Sequence, residues 1–315
     1  MSTRKQEDQP ERKYSILKYR YKCGAKRREV AKSRSMRGAS VRSTDRSRGM
    51  STLVLVFIVV GVMLAVTAAL ISWYRPFGPP GRITGSGNLA TEEMDFSDFT
   101  IVEVGYAFEA EITQSNSYSI SITADDNLFD YIQVSKTGET LRIGLKPNYN
   151  YQSLTLKAEI TMPDLHELEL SGATHGTVEG FSSSHKLVLD LSGASSLDMA
   201  DMSAGDIKIN LSGASTVTGG ITASGDAQLD ISGASTIELE GAANDLLTIV
   251  SGASRLELSD FPVHNANVNL SGASQATINL DGILDADLSG ASHLYYIGEP
   301  TLGDIETSGG STISK

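Results

Sequence analysis

LDLSGASSL, residues 189–197, is rewritten further along the chain as INLSGASTV (209–217), LDISGASTI (229–237), VNLSGASQA (268–276) and ADLSGASHL (286–294). A serine beside a glycine in a tight turn can be a nucleophile, but a catalytic centre is needed once, and this phrase recurs about eight times. Its opening serine falls at Ser171, Ser192, Ser212, Ser232, Ser251, Ser271 and Ser289, with a degenerate SGGS at Ser308. The spacings are 21, 20, 20, 19, 20, 18 and 19. Self-similarity at a fixed period near 20 residues is the signature of a solenoid.

The residues before each serine decide whether the coils are helical or extended. The position immediately before it is Leu170, Leu191, Leu211, Ile231, Val250, Leu270, Leu288 and then Thr307. One residue earlier stand Glu169, Asp190, Asn210, Asp230, Asn269, Asp287 and Glu306, with Ile249 as the one exception. Apolar residues flank this polar position on most coils, and a period of two means a strand with one buried face. Alternation resumes after the phrase, as in TIELEG from Thr236 and RLELSD from Arg255. Each coil therefore holds about two strands joined by a glycine-containing bend, with a second turn at EG, TGG or SAG. A coil this short cannot bury its own apolar face; stacked about 4.8 Å from its neighbours, it pairs its backbone in parallel and shares their core. The expected fold is all-β: a right-handed parallel β-helix over residues 166–315, preceded by an irregular β cap over 85–165.

In this reading Gly193, Gly213 and Gly233 supply backbone conformations that a Cβ would obstruct. Ala194, Ala214, Ala234 and Ala253 are expected inside the corner, and the flanking serines bond along the ladder or to the turn backbone. Nucleophilic Ser195, Ser215 or Ser235 would need a base within reach. His166, His175, His185, His264 and His293 share no register with those serines, so no catalytic residue is expected; no cofactor or metal site is assigned either. The polar row from Glu169 to Glu306 is read as one flat face able to hold cations or to hydrogen-bond sugar hydroxyls, against the plainer reading of solvated outward positions. In the cap, LFDYIQVSKTGETLRIGL from Leu128 reads as strand, turn and strand, and SLTLKAEITMPDLHELEL from Ser153 runs into the first regular coil. Asp125 and Asp126 in ADDN lack the alternating ligand spacing of a calcium loop and read as a turn.

Charge divides the chain. Residues 1–50 carry 16 Lys/Arg against 5 Asp/Glu, whereas the remaining 265 residues carry 10 against 33. No charge lies between Arg48 and Arg75, and residues 51–74 (STLVLVFIVVGVMLAVTAALISWY) are long enough to cross a bilayer as a helix. The basic excess on the N-terminal side places residues 1–50 in the cytoplasm and everything after Arg75 outside. A cleaved signal peptide is the competing reading, but the basic region and apolar stretch are both too long for one. The only cysteine, Cys23, precedes the segment, so a disulfide framework within the chain and a lipid-modified N-terminus after cleavage are both excluded. The basic arm is poor in apolar residues, reads as disordered, and suits anionic lipid better than nucleic acid. YRPFGPPG from Tyr74 opens a stiff linker over residues 75–84.

The stretch GSGNLATEEMDFSDFTIVEVGYAFEAEITQ from Gly85, with ADDNLFDYI, LKAEITMPDLHELELSGAT and the LSGAS coils, resembles the family of auto-transporter adhesin head domains, also called head GIN domains. The resemblance spans residues 85–315 and leaves the arm and the apolar segment outside. It implies a parallel β-helix without catalytic residues and a role in adhesion. The expected function is thus a membrane-anchored, surface-displayed, non-catalytic binding module, with a polysaccharide or cell-surface ligand as partner and self-association through its ends. Two alternatives stay open: an envelope sensor signalling through the basic arm, and a polysaccharide-degrading enzyme. The latter is disfavoured because Lys186, Lys208 and Arg255 are scattered one per coil.

Overall fold

The computed structural model of the protein describes residues 81–315. The basic arm, the apolar segment 51–74 and most of the linker lie outside the described residues. Among the described residues there is no α-helix, and no helix long and apolar enough to cross a membrane.

The repeats build an all-β solenoid of right-handed type with about seven turns. Two long sheets, of eleven and twelve strands, run its length. Each coil gives one strand to the first sheet, turns at its SGA corner, and gives the next strand to the second. Leu187–Leu191 and Ser196–Ala204 form one such coil, stacked in parallel on the next coil, Ile207–Leu211 and Thr216–Ala223. Inward positions such as Leu189, Leu191, Leu197 and Met199 are buried, and their equivalents join one continuous core along the stack. The unequal spacing of the repeats is absorbed mainly in the second sheet, where pairing shifts between Met199 and Met202, Glu238 and Glu240, and Leu258 and Val263. TGG and EG therefore mark bends within continuing strands, while SAG ends one.

At the corner, Gly213 has φ +78°, and a Cβ there would lie 2.3 Å from the Gly193 carbonyl oxygen. The next residue's N–H, that of Ala214, donates to this same carbonyl at 2.8 Å, and the contact repeats coil after coil. Glycine is required for both the left-handed turn and the close approach. The alanines are not inside: Ala194, Ala214 and Ala234 are exposed, and the closing serines Ser195, Ser215 and Ser235 are the buried residues. The reason is chemical. A buried hydroxyl needs a partner, and each of these serines donates to the carbonyl three residues back, Ser215 Oγ to Ser212 at 2.9 Å.

The solenoid begins earlier than the repeat phrase, and it does not wind in chain order. Ile101–Val104 and Glu109–Gln114 form a complete coil with its corner at Gly105–Phe108. The coil Glu167–Leu170 and His175–Glu179 stacks on one side of it. On its other side lie Thr140–Leu145 and Leu156–Met162, which come from the insertion between those two coils. Strand 156–162 thus does not run into the coil at 167; the chain crosses past the 101–114 coil to reach it. The outer face is closed by antiparallel strands, Ile132–Thr137 on one sheet and Ser119–Asp125 followed by Leu89–Met94 on the other. The hairpin turn at Gly138 forms as the sequence indicates.

ADDN becomes the end of a strand and a short 3-10 turn, Asp126–Leu128. Asp125 is buried, and its two carboxylate oxygens accept the N–H groups of Gly87 at 2.7 Å and Thr155 at 2.8 Å. Its role is to fasten three segments of the cap together.

Candidate functional site

Parallel pairing without a slip places side chains of equivalent residues in a file. Glu169, Asp190, Asn210 and Asp230 are direct partners in successive strands, followed by Ile249, Asn269, Asp287 and Glu306. All seven polar residues named from the sequence therefore stand in one row on the outside of the first sheet. The row also extends past Glu169 to Glu103 and Arg142, which sequence reasoning missed. A signal was present: IVEV repeats the apolar–Glu–apolar pattern of ELEL, but a tyrosine occupies the expected glycine position in the corner that follows.

The row is interrupted chemically rather than geometrically. At Thr248–Ile249 the alternation of residue types inverts, yet the stack holds the backbone register. Thr248 is buried with its hydroxyl donating to the Leu229 carbonyl at 3.0 Å, and Ile249 is 47% exposed. Between the row and the first serines of the corners runs an open groove of about 350 Å³, lined by Glu169, Asp190, Asn210, Asp230 and closed by Ile249. Within it the Asn210 amide donates to Asp190, and the Gln228 amide donates to Asp230 at 3.3 Å. Arg142 grips Glu103 through two nitrogens at 2.8 and 2.9 Å. Partial burial first, and then the charges of Glu103, Asp190 and Glu167, raise the pKa of Glu169 above the ordinary carboxylate range. A cation beside Glu169 would relieve that repulsion.

A second open depression of about 560 Å³ lies over the cap against Glu103, Tyr106, Arg142 and Lys146, and Glu169 borders both. Tyr106 occupies the corner position that later coils give to glycine, with φ +74°, a conformation a bulky side chain rarely adopts. Its ring meets Tyr151 edge-on at 6.2 Å, and Tyr131 and Tyr149 complete an aromatic cluster. Burial and the neighbouring phenols push the Tyr151 hydroxyl up to about 12, and it donates to the Lys146 carbonyl at 2.8 Å.

A second polar cluster lies where the chain crosses back over the first coil. His166 Nε2 and His185 Nδ1 stand 3.1 and 3.0 Å from the same oxygen of Asp164, and the two rings are 4.7 Å apart. Burial opposes ionisation of Asp164, but hydrogen bonds from Ser183, His166 and His185 outweigh it and hold the carboxyl below its usual range. Sequence reasoning set these histidines aside because they share no register with the corner serines. Residue 166 comes beside residue 185 because strand Glu167–Leu170 stacks directly on Leu187–Leu191. The corner serines themselves are buried and engaged with backbone carbonyls, which leaves them unsuited to nucleophilic attack.

The geometry defines a class: a parallel β-solenoid with a hairpin-capped first end, glycine–serine corners and a polar file along one sheet. The chain belongs to the family described as "Putative auto-transporter adhesin, head GIN domain", whose sequence profile matches residues 98–300. Among solved structures it resembles a "putative adhesin" from Parabacteroides distasonis (17% identity, TM-score 0.69), covering 74% of this chain and 100% of that one. A "putative adhesin" from Parabacteroides merdae is similar at 19% identity and TM-score 0.69, covering 74% and 98%. A "putative lipid binding protein" from Parabacteroides distasonis matches at 22% identity and TM-score 0.63, covering 74% and 99%. At these identities the likeness concerns the fold. No curated protein matches the sequence.

Proposed function

We propose that the protein is a membrane-anchored, extracytoplasmic, non-catalytic binding and adhesion module whose ligand is a polysaccharide of a cell envelope, held along the polar file with bridging divalent cations. The observation that carries this reading is the in-register row from Glu103 to Glu306 beside an open groove. An extended polymer with a repeating structure is the ligand that a row of acceptors and amides suits, since every coil but the one at Ile249 offers a polar contact at the same position. Family membership supports the adhesive role. The apolar segment 51–74 and the basic arm support anchoring, with the arm against anionic lipid and the solenoid outside.

The full chain, solubilised in detergent, is to be mixed with purified envelope polysaccharides and sedimented with and without a divalent-ion chelator. Saturable co-sedimentation lost in chelator is the expected result. Binding that persists in chelator removes the bridging cations, and no binding to any envelope fraction overturns the adhesive reading. Anchoring has its own check. In intact cells, external protease is expected to degrade the solenoid while the basic arm stays protected in the membrane pellet.

A further inference from the structure

We propose that Asp164, His166 and His185 form a binding site for a single divalent transition-metal ion of the Zn2+ type, with solvent completing the coordination. Among the described residues this is the one place where three such ligand atoms lie within 4.8 Å of one another. Two imidazoles and one carboxylate are a donor set that zinc takes readily, leaving a fourth position open. With metal–ligand bonds of about 2.0–2.2 Å, neighbouring ligands of a tetrahedral site stand roughly 3.3 Å apart. The Asp164 oxygen already lies 3.1 Å from His166 Nε2 and 3.0 Å from His185 Nδ1. Small rotations of the two rings would open room for the ion between the three atoms.

The backbone beneath is fixed independently of any metal. The His166 N–H donates to the Thr100 carbonyl at 2.8 Å, and the His166 carbonyl accepts from Val188 N–H at 2.9 Å. His185 heads a column of stacked turn residues, Gly205, Gly225, Asn244, His264 and Gly282, each donating its N–H to the carbonyl of the one before. Glycine and asparagine serve that turn as well as histidine does, so the fold does not explain the imidazole at 185. The same holds for the pairing itself, because two imidazoles directed at one carboxylate oxygen exceed what a surface turn needs. The side chains of Asp164, His166 and His185 are 29%, 36% and 63% exposed, so an ion and its water reach the site from solvent. Bound there, the ion would tie the segment crossing over the first coil to the turn that begins the third.

The test uses the full chain in detergent, stripped by a chelator and titrated with Zn2+, and with Co2+ as a spectroscopic probe. The expected result is one tight equivalent per chain, a raised unfolding temperature and the intense visible bands of four-coordinate cobalt. His185→Gln and His166→Gln should each weaken that equivalent at least tenfold and abolish the cobalt bands, with an unchanged circular dichroism spectrum showing that the variants fold. His264→Gln, beside Asp281 on a later turn, should leave both readouts as they were. Absence of a tight equivalent in the parent chain overturns the proposal. So does tight binding that survives the paired His166→Gln and His185→Gln substitution, since the ion would then sit elsewhere, the acidic file included.

Discussion

At the scale of the residue, the corner glycine and the acidic file make opposite demands. Gly213 is fixed by sterics: alanine there would carry a left-handed conformation and drive its Cβ into the Gly193 carbonyl. Gly213→Ala is expected to cost more than about 2 kcal/mol, read as a lower denaturant midpoint. Glu169 is fixed by nothing comparable, and its charge works against the fold. Its pKa is raised in the folded state by burial and then by Glu103, Asp190 and Glu167. The protein is therefore favoured where Glu169 is protonated, and that contribution is lost as pH rises from the unfolded carboxylate value, about 4.3, through the higher folded value. Glu169→Gln should stabilise the protein at neutral pH by roughly 0.2–1 kcal/mol, as expected on relieving like charges in adjacent strands. Thermal unfolding at pH 7 and pH 3.5 checks this, because the advantage should vanish at the lower pH.

At the scale of the element, register overrides residue type. Ile249 stands in the polar file because its strand is locked between Asp230 and Asn269, although its side chain alone would prefer the core. Ile249→Asp would make the file continuous and is expected to strengthen chelator-sensitive sedimentation with polysaccharide, while Asp190→Asn with Asp230→Asn should weaken it. The strands of the repeat were legible because each states the same alternation, and each restatement reinforces the last. The coil at 101–114 was not: its corner has Tyr106 in place of glycine, and nothing local reveals that a later segment slides beneath it. The cluster at Asp164 was hidden for another reason: His166 and His185 begin adjacent stacked coils, but they lie in bends where no repeated phrase marks the register. Alanine was expected inside on size, whereas serine can be buried there because its hydroxyl reaches the carbonyl three residues back. Asp125 belongs to this scale too. Asp125→Asn replaces one charged acceptor and should cost about 1.5–3 kcal/mol, with faster hydrogen exchange in strand Leu89–Met94 as the measurement.

For the whole described solenoid, the two ends are built differently. The first is closed by antiparallel strands and an aromatic cluster, whereas the last coil, Thr301–Thr307 and Thr312–Ser314, has mostly exposed residues. Hydrogen exchange should accordingly be fastest in 301–314 and slowest through the central coils 187–250, and a uniform profile would contradict this picture. The block from Phe99 to Glu179 should exchange as one cooperative unit, because its coils interlock.

The interlocking has a consequence for how the protein is made. A chain emerging N-terminus first cannot lay its coils down one upon another from the start, since the coil at 101–114 must wait for strands nearly thirty residues or more downstream to cover its lower side. Once residue 179 has emerged, that block becomes a seed with a single growing face. Every later coil finds a finished edge ready to receive it, so the direction of assembly is written in the topology of the first 80 residues of the solenoid.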